Sequence, residues 1–172
     1  MKIEDNFLTK KEFEHIQGLI LGFDFPWYFN KTIDYAGQVR DYFQFTHLFY
    51  NKGLISSNYF KDLRPIINRL KVFNLSRVKS NLLTRTETRA VNQFHIDEST
   101  LSVKKLEHWT TAIFYINTNN GYTEFEDGTK VESVANRIVT FPANTKHRGT
   151  SCTCLLYTSP SPRDQRGSRM AA

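Results

Sequence analysis

The spacing of apolar residues changes along this chain, and the change divides it. Near the N-terminus Phe13, Ile16, Leu19 and Ile20 recur at three- and four-residue intervals, the spacing of one helix face. Thr9-Lys10-Lys11-Glu12 precedes them with capping-box spacing, so the pattern predicts a first helix ended by Gly22. The run from Phe23 to Phe29 is too aromatic, and too interrupted by Pro26, for a helix; it predicts a strand or extended segment packed on the core. Asp41 to Asn51 alternates loosely and reads as another strand. Ser56, Ser57 and Asn58 offer N-caps for a second helix covering Leu63, Ile66, Ile67 and Leu70. Pro65 fits only in its first turn or as a kink.

From Ser76 the period becomes two. Strands are predicted over Val78 to Thr84, Ala90 to Ile96, Thr110 to Asn117, Tyr122 to Phe125, Lys130 to Val134, Arg137 to Phe141 and His147 to Cys152. Asn119-Asn120-Gly121 and Asp127-Gly128 between them are hairpin signals. Many short strands at this spacing predict a sandwich or barrel. No internal repeat or low-complexity stretch interrupts the chain before residue 153.

With 172 residues and 20.1 kDa, the chain is long enough to bury a real core as one domain. Its 14% aromatic content, from 14 Phe and 8 Tyr among others, argues against disorder. No run is long enough to span a bilayer, and Met1 to Asp5 holds no apolar signal region, so no membrane partner and a cytoplasmic location are expected. Cys152 and Cys154 are too close for a disulfide framework, and no second pair completes a zinc site. The formal charge of +6 raises a nucleic-acid partner. However, Arg163, Asp164, Arg166 and Arg169 at the C-terminus supply +2 of it, and the remaining +4 is scattered without a Lys/Arg block. A solvated surface is the better reading. Oligomeric state is not set by any of these features.

The candidate chemistry lies in Phe94-His95-Ile96-Asp97 and Lys146-His147-Arg148-Gly149. A His and a carboxylate two residues apart on a strand point to one face. His147 follows Asp97 by 50 residues, enough for several antiparallel strands to bring it back beside the pair. Two His and one carboxylate on one side of a metal leave three positions open, as in non-haem Fe(II) oxygenases. His-x-Asp alone is a common tripeptide pattern, and what makes it specific is its company. His47 reads as an ordinary half-buried histidine and His108 as a solvent-side residue.

That company is a series of ordered blocks: Arg77 to Leu82, Phe94 to Asp97, Thr111 to Tyr122, Phe125 to Thr129, Val134 to Arg137 and Lys146 to Gly149. Together they resemble the 2-oxoglutarate/Fe(II)-dependent dioxygenase superfamily, in the prolyl-4-hydroxylase-like branch common in phage and marine environmental sequences. The resemblance implies a mainly β fold with flanking N-terminal helices: a double-stranded β-helix, or jelly roll. Residues 1–75 would be a support region, 76–153 the catalytic core and 154–172 a non-native tail. It assigns His95, Asp97 and His147 to Fe(II), with no catalytic side chain beyond these ligands. It further implies 2-oxoglutarate as co-substrate, O2, ascorbate as a further cofactor, and hydroxylation of a C–H bond in a protein or peptide, in the host cytoplasm if the chain is phage-encoded. Tyr115 matches the strand tyrosine that donates to the distal carboxylate of 2-oxoglutarate, and Asn81 is a further pocket-lining candidate; Arg89 and Arg137 read as surface or structural charges. The loop from Asp97 to Trp109, with Glu98, Ser99, Thr100, Lys104 and Lys105, is expected to cover the site mouth. Two alternatives stay open: a metal-binding jelly-roll module without turnover, and a nucleic-acid oxygenase.

One departure from the family pattern stands out. An arginine about ten residues beyond the distal His normally anchors the co-substrate, and here Leu155-Leu156-Tyr157-Thr158 occupies that region, with no arginine before Arg163. The text from Cys154 to Asp164 looks like a translated sequencing adapter. Genuine sequence is therefore expected to stop near Thr153, leaving the jelly roll without its last strand and with weak or absent co-substrate binding. Residues up to about Tyr157 should mimic the start of that strand, and Ser159 to Ala172 should be extended or disordered. A grafted ending with an arginine about ten residues after His147 should tighten 2-oxoglutarate binding by about 10- to 100-fold, matching about 1.5–3 kcal/mol for a charge-assisted hydrogen bond. Anaerobic Fe(II)-loaded titrations of both chains measure this, and equal affinities would show that the arginine is not needed.

Overall fold

The structure is a computed structural model describing residues 1–33, 43–97 and 106–154. Its strands, in chain order, are β1 (Lys2–Glu4), β2 (Tyr28–Asn30), β3 (Gln44–Asn51), β4 (Leu54–Ile55), β5 (Arg77–Leu82), β6 (Thr110–Tyr115), β7 (Tyr122–Phe125), β8 (Lys130–Glu132), β9 (Arg137–Pro142) and β10 (His147–Gly149). The helices are α1 (Lys10–Ile20) and α2 (Arg64–Arg69), the latter preceded by a 3-10 helix over Asn58–Leu63. The protein is mainly β, and every strand pairing is antiparallel. No helix among the described residues is long and apolar enough to cross a membrane.

The first helix forms as its sequence dictates. Thr9 Oγ1 accepts the Glu12 N–H at 3.4 Å, and Glu12 Oε2 accepts the Thr9 N–H at 3.1 Å, a reciprocal cap. Ile16 and Ile20 are buried, with Phe13 and Leu19 packed beside them. The expected second helix is split. Ser57 caps the 3-10 turn, and Pro65 sits in the first turn of α2. Pro65 has no N–H to continue a longer helix, and its ring would crowd the carbonyl four residues back, so the chain tightens to 3-10 geometry before it.

Among the described residues, three sheets are built on this support. In the first, β9 is central, flanked by β1 and β6. In the second, β7 lies between β10 and β8. In the third, β3 pairs along one edge with β5, while β2 and β4 share its other edge. Beyond β6 the chain alternates between the first two sheets: β6 and β9 lie in one, β7, β8 and β10 in the other. Residue parity fixes the layers. On β6 and β9, Phe114 and Ile138 face an outer core with Phe7, Ile16 and Ile20, while Ile113, Tyr115, Val139 and Phe141 face an inner core with Phe125 and Val131. The first two sheets therefore pack face to face. Phe49 of β3 and Val78 of β5 belong to the same outer core, so the third sheet rests on the same helical layer.

Several sequence expectations need correction. Ala90 to Ile96 is not a continuous strand; only isolated bridges form, Val91 with Thr150 and His95 with His147. Four steps along one segment oppose three along the other, so the pairing carries a bulge that breaks the ladder. Asn119-Asn120-Gly121 is not a hairpin: it carries the chain from the first sheet to the second, with Asn119 Oδ1 accepting the Gly121 N–H at 2.7 Å. Phe23 is fully exposed rather than packed on the core, and only Phe25 of that aromatic run is buried. His47 is fully buried rather than half-buried. Its Nδ1 donates to the Pro26 carbonyl at 2.7 Å, and its Nε2 accepts from Ser57 Oγ at 2.8 Å.

Asp127-Gly128 does form a hairpin between β7 and β8, with Gly128 at φ +84°. Lys52 and Gly53, both at positive φ, make the β3–β4 turn that the sequence pattern passed over. His108 is exposed, as expected. The lid residues Glu98 to Lys105, the start of the strand expected from Asp41, and residues 155–172 of the tail lie outside the described residues.

One residue ties the N-terminal segment to the sandwich. Asn136, buried and at φ 62°, accepts the Leu8 N–H through Oδ1 at 2.9 Å and donates Nδ2 to the Leu8 carbonyl at 2.9 Å. Its own carbonyl accepts the Phe7 N–H at 2.9 Å. Asn tolerates this left-handed backbone far better than Ala. Asn136→Ala leaves two buried backbone groups unpaired and is expected to cost about 2–4 kcal/mol; Asn136→Gly should recover about 1 kcal/mol by relieving the backbone. Urea denaturation of the three proteins measures both, and an Ala variant as stable as wild type would refute the clamp.

Candidate metal centre

The site begins with backbone pairing. The His95 N–H donates to the His147 carbonyl at 2.9 Å, and the His147 N–H donates to the His95 carbonyl at 3.0 Å. Residues that exchange both hydrogen bonds stand directly opposite, with side chains on one face. The two imidazoles accordingly lie with ring centroids 4.9 Å apart. Asp97, two residues on, returns to that face, with Oδ2 at 3.5 Å from His147 Nε2. One donor atom from each of His95, Asp97 and His147 lies within 4.8 Å of the others. The three expected ligands are therefore together.

The hydrogen bonds behind the rings decide which nitrogens are available. His95 Nδ1 lies 3.1 Å from the Gln93 carbonyl, and His147 Nδ1 lies 3.1 Å from the Thr145 carbonyl. A carbonyl only accepts, so each Nδ1 carries its proton and each neutral ring presents the Nε2 lone pair to the cluster. Metal-binding imidazoles are oriented in this way. Burial works against ionisation of Asp97, but in the metal-free site, when the imidazoles carry a second proton on Nε2, the His147 hydrogen bond and the charges of His147, Lys79 and His95 outweigh it and hold the carboxyl at about 2. Asp97 is thus a carboxylate throughout the neutral range. Two neutral imidazoles and one carboxylate suit a divalent first-row metal and leave further coordination positions open.

The surroundings are uneven. Behind the buried His147 stand Phe141, edge-on at 4.9 Å between centroids, and Phe125 at 6.3 Å. On the opposite side β5 contributes polar groups. Arg77 Nη2 donates to the Asp97 carbonyl at 2.7 Å and lies 3.8 Å from its Oδ1. Lys79 and Asn81 follow at two-residue spacing on the same face and line the same large cavity as His95 and His147. Lys79 is reached by cavity solvent yet hemmed in by protein; that burial and the Arg77 charge lower its pKa, with Asp97 opposing.

Tyr115 points to the inner side of the sandwich, and its hydroxyl donates to Thr123 Oγ1 at 2.7 Å. Its pKa is raised by burial. Asn81 is exposed on β5, opposite Thr46 of β3. Arg137 holds Asp5 through two bonds, at 2.5 and 3.0 Å, and Arg89 lies over the Tyr122 ring at 5.2 Å, so both are structural charges as expected. Sequence reasoning missed Arg77, Lys79 and Thr123 as site neighbours. The period-two series Arg77-x-Lys79-x-Asn81 was the available signal for the first two.

No family model and no curated protein matches this chain. Co(II) at about 100 times its dissociation constant should stabilise the protein by about 2.7 kcal/mol, read as a rise in melting temperature. EDTA should reverse the rise, and His95→Ala or Asp97→Ala should abolish it. A rise that survives both substitutions would place the metal elsewhere.

Proposed function

We propose that this protein is a mononuclear Fe(II) oxygenase that uses 2-oxoglutarate and O2 to hydroxylate a C–H bond, with a prolyl or other protein side chain as the substrate class. One observation carries the reading: two Nε2 atoms, with tautomers fixed by backbone carbonyls, converge with the Asp97 carboxylate beside an open cavity. A tetrahedral structural site would need a fourth protein donor, and the group within reach holds three among the described residues. The face-to-face packing of two antiparallel sheets, with the chain alternating between them, supports a jelly-roll scaffold. The ordered motifs that resemble prolyl-4-hydroxylase-like enzymes supply the substrate class.

Each protein group has a definable task in this reading. His95 and His147 give lone pairs, and their Nδ1–H bonds keep the rings from turning. Asp97 arrives already ionised. Bound Fe(II) would supply the redox chemistry, with the keto-acid end of 2-oxoglutarate and O2 sharing its open positions. Phe125 and Phe141 keep water from the His147 side. The far carboxylate of 2-oxoglutarate needs hydrogen-bond donors, because a buried unpaired charge is costly. Tyr115, Asn81 and the Lys79 ammonium line the cavity and can serve.

A nucleic-acid substrate finds less support. Arg69, Arg137, Arg148, Lys130 and Lys146 are paired with carboxylates rather than gathered into a free basic face. Anaerobic addition of Fe(II) and 2-oxoglutarate should produce a weak visible metal-to-ligand band, absent in His95→Ala. Admitting O2 should then release succinate. A band without succinate would favour a metal-binding module without turnover, and no band even with an arginine-bearing ending grafted on would refute the oxygenase.

A further inference from the structure

Arg77 stands apart from the three metal-ligand candidates, yet it touches one of them more closely than they touch each other. It is the first residue of β5, its backbone fixed by pairing with Asn51 and by the neighbouring Lys52 N–H to Ser76 carbonyl bond of 2.7 Å. Its side chain is only 26% exposed, so the guanidinium is held rather than free. Nη2 donates to the Asp97 backbone carbonyl at 2.7 Å and lies 3.8 Å from Oδ1 of the same residue. The other carboxylate oxygen, Oδ2, faces His147 Nε2 at 3.5 Å. The two oxygens of Asp97 thus look in different directions, one toward the imidazoles and one toward a fixed cation.

We infer that Arg77 is a positioning residue that holds Asp97 as a one-oxygen ligand and so keeps a coordination position open for the co-substrate. The inference rests on the metal reading above. A carboxylate with both oxygens free can close on a metal through both, as it does in many oxygen-rich sites. In a six-position shell with two imidazoles, a chelating Asp97 would leave two positions rather than three. A keto-acid that binds through two atoms, together with O2, needs three. The guanidinium opposes that closure in two ways: its charge attracts Oδ1, and its bond to the main-chain carbonyl stops the residue from rotating. Lysine at this position would keep the charge without the fork, and glutamine would keep a donor without the charge.

The test uses Co(II), which loads the site without turnover and reports coordination through its visible spectrum. Wild type, Arg77→Lys and Arg77→Gln are titrated with Co(II), then with 2-oxoglutarate, and their melting temperatures without metal are compared. Arg77→Gln should lower Co(II) affinity by about 10-fold, the size found for partners of metal ligands. It should also alter the Co(II) spectrum and require at least 10-fold more 2-oxoglutarate for the spectral response. Arg77→Lys should restore much of each. A Gln variant that melts lower but keeps the wild-type spectrum and 2-oxoglutarate response would reduce Arg77 to a structural tie and overturn the inference, leaving the metal reading intact. Wild type that binds no Co(II) would overturn both.

Discussion

The backbone pair between His95 and His147 is the constraint on which the site depends. Two hydrogen bonds fix the residues opposite one another, and the side-chain period of two does the rest. A slip of one residue would send one imidazole to the other face and take Asp97 out of reach of His147. The bulge between the Val91 and His95 bridges lets the segment pair with β10 at His147 and with Thr150 just beyond it while bending between them. β10 is held in turn by β7, and β7 by the tight hairpin to β8. That sheet leans on β6 and β9 through Phe125, Val131, Val139 and Phe141. A long chain of packing thus ends in the distance between two rings.

The environment then divides the work among the three candidate ligands. His147 is almost wholly buried against two phenyl rings, which fix its plane and exclude water. His95 is less buried and depends more on its backbone bridge and the Gln93 carbonyl for its orientation. Asp97 is more exposed than His147 and is governed by charge. Lys79 and Arg77 place positive charge on one side of it and the imidazoles lie on the other. The carboxylate is stabilised in its ionised form, so a metal bound here would displace no proton from Asp97.

Much of this was legible in the residues. The Thr9–Glu12 cap, the helix spacing of Phe13, Ile16 and Ile20, the Asp127-Gly128 hairpin and the alternation of β6, β7 and β9 are local signals, and local physics decides them. The His-x-Asp and distal His were legible because the motifs around them were. Other features were hidden because they are settled at long range. β1 is three residues of unremarkable composition that become a strand only because β9 offers an edge. Ala90 to Ile96 carries strand-like residues but pairs with a partner out of step. Asn119-Asn120-Gly121 has hairpin chemistry, yet the strands on either side belong to different sheets. Arg77 and Lys79 look like ordinary solvent-facing residues of an alternating strand, and only the third sheet's position sets that face along the cavity of the site.

That last point sets how the centre is assembled. His147 belongs to the sheet of β10, β7 and β8, whereas Arg77 belongs to the sheet of β3 and β5. No strand among the described residues joins those sheets: the outer core shared with α1 and α2 joins Phe49 and Val78 of the third sheet to Ile138 and Phe114 of the first, and the sheet of β10, β7 and β8 packs on the other face of that first sheet. Asp97 sits at the junction. Its carboxylate touches the first system through His147, and its carbonyl touches the second through Arg77. The helical layer, remote from the chemistry, therefore governs how well the carboxylate meets both partners. This gives the N-terminal half of the chain a physical role in the site: it is the surface that joins the third sheet to the first, and through the first to the sheet of His147, so that both systems reach Asp97.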